Sequence, residues 1–378
     1  MYMKSCSWWS VLRYFLWLGT FGFGGPVALI GYMQRDLVEK KGWLSRDVYL
    51  HGLALAGMCP GPLATQLAIY FGWLKGRFLG ASIVAIAFIL PSFCMVVGFA
   101  ALYMHHTELS WIHSALYGIG AAVVAIIIKS AIKIARLTCQ NKALLWLIFA
   151  SLALFTPLYS SYTLWMFLIS GCITMWMQSP SSGTNNKLHA VPFLLTSISS
   201  ALSKAPIIQL GLYFAWAGAF VFGSGLAIIP FLHDGVVNQY AWLTNGEFLD
   251  AVAVGMITPG PVVITAAFIG YLVAGFAGAC VAAFAIITPC FLFVVCLAPF
   301  YQKLLKNRAI AAFVTGITAA AAGAIAGSSV IIGKQALIDT NSVIIFLISA
   351  SLLLFKKIPE PLIIVFAGLA GYIFHLLT

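Results

Sequence analysis

Apolar residues run through this chain in blocks much longer than an amphipathic stripe. Stretches such as 121–128 and 343–355 hold no charged residue, and neither alternates apolar with polar positions. Membrane strands would alternate over about ten residues, so the pattern argues for helices. A helix needs roughly 20 mostly apolar residues to cross a bilayer. The blocks predict five spans in each half of the chain: 8–33, 79–103, 111–128, 143–158 and 163–177, then 207–232, 277–301, 309–332, 342–355 and 359–376. After the first span of each half lies a further apolar stretch, 48–74 and 249–273, broken near its middle by Pro-Gly-Pro. Two prolines around a glycine end one helix and start another. Each stretch is therefore expected to be a re-entrant hairpin of two half-helices, and the fold an all-α integral membrane protein.

Composition agrees. The 378 residues are 62% hydrophobic and 8% charged, with a mean hydropathy of +1.03. A soluble domain carries about a quarter charged residues, so here apolar side chains must face lipid. The net charge of +11 does not point to nucleic acid. Its lysines and arginines fall in short clusters between apolar blocks, the pattern of the positive-inside rule. Eight cysteines form no CxxC and mostly lie inside apolar blocks, which reads as packing rather than metal or disulfide chemistry. No cofactor is expected. The first residues, MYMKSCSWWSVLRYF, lack a small-residue cleavage site and continue as apolar sequence to Ile30, so they read as a span and not a signal peptide.

The chain repeats itself. Trp17-Leu-Gly-Thr-Phe21-Gly-Phe23-Gly24 returns as Trp216-Ala-Gly-Ala-Phe220-Val-Phe222-Gly223, Trp43-Leu44-Ser45 as Trp242-Leu243-Thr244, and Cys59-Pro60-Gly61-Pro62 as Thr258-Pro259-Gly260-Pro261. All three pairs stand 199 residues apart, and Pro91 has a partner in Pro289, one residue out of step. Ordered motifs in one register indicate a duplication: a first repeat over 1–178, a polar linker over 179–206 and a second repeat over 207–378. Residues 34–47 carry Arg35, Lys40, Lys41 and Arg46, whereas their counterparts 233–247 carry only Asp234 and Glu247. Since basic loops face the cytoplasm, the two repeats are expected to be inverted in the membrane, as in many secondary transporters. Lys75 and Arg77, after the first hairpin stretch, fall on the same side as Arg35 to Arg46 only if 48–74 turns back. Lys4 and Arg13 run against the external N-terminus that this map gives.

Phe23-Gly24-Gly25-Pro26, then Trp43-Leu44, then Pro60-Gly61-Pro62 resemble the chromate ion transporter family. The second half does so through Gly223-Ser-Gly225-Leu-Ala-Ile-Ile-Pro230, Trp242-Leu243-Thr244, Phe248-Leu249-Asp250 and Thr258-Pro259-Gly260-Pro261. The resemblance spans nearly the whole chain and matches the long members with two fused repeats. It implies export of chromate, a tetrahedral dianion close to sulfate, across the inner membrane, with a small oxyanion and the lipid bilayer as partners and a homodimer as one allowed assembly. The chain departs from the family at Leu29, His51, Gly57, Met256 and Gly235, where polar or acidic residues are common.

An anion at the bilayer midplane must exchange its water shell for protein donors. Bare cations in lipid are costly, so helix breaks with free N–H groups and a positive dipole end are the cheaper device. The expected binding residues are Phe23, Gly24, Gly25, Pro26 and neighbouring Gly22, the turns Pro60-Gly61-Pro62 and Pro259-Gly260-Pro261, and Gly223 and Gly225. Thr65, Gln66, Thr258 and Thr265 would add side-chain donors. Arg13, His51 and Asp250 are candidates for proton or anion coupling; Arg13 reads better as a snorkelling interface residue, and His51 and Asp250 equally as cap or mouth residues at equivalent hairpin positions. Lys129, at the end of an apolar block, reads as an interface anchor. Gly76-x-x-x-Gly80 and Gly323-x-x-x-Gly327 read as helix contacts. A membrane enzyme would need a catalytic cluster, yet the chain has no HExxH or GxSxG and only nine acidic residues. An anion channel stays open as an alternative, because paired hairpins also build pores, and so does a carrier for a different small anion.

Overall fold

The computed structural model describes residues 6–23, 25–105, 110–159, 162–178, 206–221, 225–300, 307–355, 358 and 360–377. Every regular element among them is helical. The first half contains α1 (Trp8–Phe21), α2 (Gly25–Met33) continuing as a π-helix over Gln34–Lys40, α3 (Arg46–Met58), α4 (Leu63–His105), α5 (Ser110–Cys139), α6 (Ala143–Phe155) and α7 (Thr163–Gln178). The second contains α8 (Pro206–Ala219), a 3₁₀ turn over Gly225–Ile228, α9 (Ile229–Leu232) continuing as a π-helix over His233–Gln239, α10 (Asn245–Ile257), a 3₁₀ turn over Val262–Ile264, α11 (Thr265–Leu297), α12 (Arg308–Ala336), α13 (Thr340–Phe355) and α14 (Glu360–Leu377). The order of the first half thus recurs, down to two seven-residue π-helices 199 residues apart. A conformation so rare at equivalent places is a structural trace of the duplication. The linker expected over 179–206 lies outside the described residues except for Pro206.

Neither first span is one continuous helix, which corrects the expectation for 8–33 and 207–232. The 14 residues of α1 reach only about 21 Å, against about 30 Å of hydrocarbon. The chain leaves the helix at Gly22 and resumes at Gly25, whose φ is +71°. Glycines have low helix propensity, and Pro26 fits the first turn of α2, where its missing N–H is not needed. The basic stretch 34–47 is not a plain loop either: seven of its residues extend α2 as a π-helix. Ser45 then caps α3 by accepting the Val48 N–H at 3.3 Å, and its counterpart Thr244 forms a capping box with Glu247. Helix α5 runs beyond 128 to Cys139, because lysine and serine interrupt an apolar block without interrupting a helix.

Both Pro-Gly-Pro segments are hairpin tips. Tyr49 of α3 stacks on Phe71 of α4 at 5.8 Å, and Gly52 lies so close to Tyr70 that a Cβ would overlap its ring. Both pairs straddle the Pro60-Gly61-Pro62 turn, so the two arms are antiparallel. In the second repeat Gly255 meets Thr265 in the same way. Each long helix then reverses again, at Gly76–Arg77 (φ −149° and +52°) and at Ala274–Gly275 (φ −146° and +61°). Past the reversal Gly80 returns to the backbone of Gly72, and Gly278 to that of Gly270. Residues eight apart in a straight helix would be about 12 Å apart.

Four helical segments are long and apolar enough to cross a membrane, 63–105, 114–139, 262–300 and 309–336, and four shorter apolar helices accompany them. The chain is a multi-pass membrane protein. Its halves are interwoven: α6 and α7 pack on α12 of the second half, α13 and α14 on α5 of the first, and α4 on α11. Small residues permit these crossings. Gly118 meets Gly371, Gly316 meets Thr174, and Gly323 and Gly327 seat against backbone carbonyls of α6, while Gly76 and Gly80 lie under the Trp8 ring. The two glycine pairs read as helix contacts are therefore helix contacts.

Candidate functional site: a cavity between the two repeats

The hairpin tips and the helix breaks are tied across the repeats. The Gly61 N–H donates to the Val221 carbonyl at 2.5 Å, and the Gly260 N–H donates to the Gly22 carbonyl at 3.1 Å. Gly22 and Val221 are themselves equivalent, so each tip is fastened to the break of the other repeat. Both glycines hold positive φ, +137° at Gly61 and +101° at Gly260. A Cβ on Gly61 would sit 2.7 Å from the Cys290 sulfur, and one on Gly260 would overlap the Ser92 hydroxyl. The tip N–H groups expected to face an anion are thus already engaged. Prolines offer none, and the N–H groups of Cys59 and Thr258 bond to Leu55 and Val254 carbonyls at 3.2 and 3.1 Å.

What lies beside the tips is a cavity of roughly 200 Å³, room for several waters or a small oxyanion. Gly22, Phe23 and Gly25 of the first break form one wall, and Thr258, Gly260 and Val262 of the second tip another. Leu63 also lines it, so the first residues of both returning half-helices face the space. The first N–H groups of a helix lack intrahelical partners and carry its positive dipole end. From α5 come Lys129 and Lys133, four residues apart and so on one helix face. Glu360, the first residue of α14, completes the charged lining, with its carboxylate 3.5 Å from the Lys129 ammonium. Both members of that pair are about a quarter exposed, 29% and 24%, so it contributes on the order of 1 kcal/mol or less.

The remaining expected residues lie elsewhere. Gly61 sits beside Cys290, and Pro60, Gly61 and Pro62 do not line the cavity. Gln66 is fully buried, and its amide nitrogen donates to the Cys59 and Pro60 carbonyls at 3.0 and 2.7 Å. It braces the first tip. Thr65 is equally buried, and the Thr265 hydroxyl donates to the Val262 carbonyl at 2.7 Å. The Thr258 hydroxyl donates to the Val254 carbonyl at 3.0 Å, leaving its oxygen lone pairs beside the cavity. Gly225 packs against Val262, and Pro26 occupies the second position of α2. Gly24 and Gly223 lie outside the described residues. Arg13 and His51 are exposed on α1 and α3, and Asp250 accepts the Tyr103 hydroxyl at 2.9 Å. None of these three lines the cavity.

A family model described as chromate transporter matches the chain twice, over residues 9–175 and 208–372. The chain belongs to the chromate transporter family. It is 49% identical to the chromate transport protein of Cupriavidus metallidurans, over 96% of this chain and 92% of that one. It is also 49% identical to a probable chromate transport protein of Synechococcus elongatus, over 97% and 95%, and 28% identical to the chromate transport protein of Pseudomonas aeruginosa, over 95% and 90%. No solved structure matches the chain. In this chromate transporter family member, the charged lining residues not anticipated from sequence are Lys133 and Glu360, and Lys129, read as an interface anchor, lines the cavity with them. Lys129 and Lys133 lie on one face of a helix that continues past the apolar block, which was the available signal. Their counterparts in α12 are Gly327 and Ile331, so the cationic wall belongs to one repeat alone. Met256, one of the departures from the family pattern, also lines the cavity.

Proposed function

We propose that the chain is a secondary transporter that exports chromate, with sulfate as a second tetrahedral dianion of similar build, across the inner membrane. The observation that carries this reading is the cavity between the repeats, walled by helix breaks and by the Lys129 and Lys133 ammonium groups. Glycine at 22, 25 and 260 lets an anion reach the backbone, and the starts of α4 and of the Val262–Ile264 turn supply unpaired N–H groups. The two lysines supply charge-assisted hydrogen bonds. Transport by alternating access fits two inverted repeats rocking about a shared site, and the unequal charge of 34–47 and 233–247 supports inversion. Chromate transport named for the relatives supports the substrate, and the resemblance to the family supports export.

The test is chromate flux in proteoliposomes containing the purified protein. Labelled chromate should accumulate with saturation and be stimulated by unlabelled chromate or sulfate on the opposite side. A flux that rises linearly with the gradient, without saturation or stimulation from the opposite side, would replace the carrier with a channel.

A further inference from the structure

We propose that Glu360 is the coupling carboxylate of this cavity: it neutralises Lys129 while the site is empty and takes up a proton when an oxyanion dianion replaces it. The inference rests on the reading of the cavity as the oxyanion site. One carboxylate oxygen of Glu360 is 3.5 Å from the Lys129 ammonium, and the other points towards the break, 3.9 Å from where a Cβ on Gly25 would stand. The carboxylate thus occupies the place where a bound anion would touch both the lysine and the backbone of the break. It acts as a built-in competitor for the substrate.

Charge balance then decides what binding requires. Among the described residues the charged groups lining the cavity are Lys129, Lys133 and Glu360. The second tip brings Thr258, Gly260 and Val262, the Gly225–Ile228 turn Leu226 and α12 Thr318, none of them charged. Helix α13 carries no charged residue. On α10, Asp250 accepts the Tyr103 hydroxyl at 2.9 Å and Glu247 accepts the Thr244 N–H at 2.8 Å. With Glu360 ionised the lining therefore carries one net positive charge. A monoanion neutralises it, but a dianion leaves an excess negative charge in a space that water only partly screens. A proton from the open side of the cavity converts the Glu360 carboxylate to the neutral acid and restores balance. The acid hydrogen then becomes a donor to the anion. By linkage, a proton favours the dianion as strongly as the dianion favours the proton.

The experiment uses chromate in alkaline medium, where it is the dianion, with a pH-sensitive dye inside proteoliposomes. Wild-type chromate flux should carry protons in the same direction, and its KM should rise as the medium becomes more alkaline. Glu360→Gln, which resembles the protonated acid, should lower KM about tenfold at alkaline pH, flatten its pH profile and abolish the proton movement. Retention by the variant of the wild-type proton movement and pH profile would overturn the proposal. If the variant does not assemble, chromate added to wild-type protein in weakly buffered detergent must raise the medium pH, and no rise overturns it as well. Wild-type protein without saturable chromate flux would remove the functional reading and this inference together. Intact wild-type flux with an unchanged Glu360→Gln variant removes the inference alone.

Discussion

At the scale of single residues, two kinds of glycine stand within four positions of each other. Gly57 lies in α3 with open space where a Cβ would go, whereas Gly61 combines φ +137° with the Cys290 sulfur 2.7 Å from that place. Gly57→Ala should be neutral or stabilise by up to about 1 kcal/mol through helix propensity. Gly61→Ala should destabilise by about 1–3 kcal/mol, and Gly260→Ala by a similar amount. Thermal unfolding in detergent separates them, and equal melting temperatures for Gly57→Ala and Gly61→Ala would contradict the strained tip. Lys133 belongs at this scale as well. It lines the cavity with its side chain exposed, so Lys133→Gln should leave the fold intact and raise the KM for chromate about tenfold or more, the loss of one charge-assisted hydrogen bond. Arg13 is exposed and does not line the cavity, so Arg13→Gln should leave KM within about twofold.

At the scale of elements, each long helix is two helices. The tip at Pro60-Gly61-Pro62 returns the chain to the end from which α3 set out, and the reversal at Gly76–Arg77 then turns it once more. Cysteines replacing Lys75 and the exposed Glu39 should therefore react with an impermeant thiol reagent from the same side of the membrane. Reaction from opposite sides would make 48–74 a complete crossing. The tips are held from outside their own repeat, through Val221 and Gly22, so movement of one hairpin must strain or release the break of the other. That coupling of elements is what an alternating-access site requires.

At the scale of the molecule, the duplication and the interweaving set the symmetry. Helices α6 and α7 pack on α12, and α13 and α14 on α5, so neither repeat keeps its last helices to itself. Glu39 and Asn238 are equivalent, both exposed, at the ends of matching π-helices. Cysteines placed there should label from opposite membrane faces if the repeats are inverted. Labelling from one face would leave the duplication intact but end the inverted arrangement. The symmetry is broken in the charge of the cavity lining, because the sequence counterparts of Lys129 and Lys133 are Gly327 and Ile331.

Local properties of the chain determine much of this. Length and apolarity of a block fix a membrane helix through the thickness of the bilayer, so the sequence alone specifies the helical membrane class. The duplication and the two Pro-Gly-Pro tips are equally plain in it, since both rest on residues close together or on a constant offset. The breaks in 8–33 and 207–232 were not legible, because a run of apolar residues carries no mark of where a helix loses its hydrogen bonds. Tertiary structure alone decided how the donors are used. The Gly61 and Gly260 N–H groups are taken by carbonyls of the opposite repeat, a fact that no spacing along the chain encodes. It likewise decided that Lys129, which in sequence ends an apolar block, meets Glu360 at the far end of the chain. Side chains that distant are brought together only by the exchange of α14 onto α5, and the charge of the cavity follows from that packing.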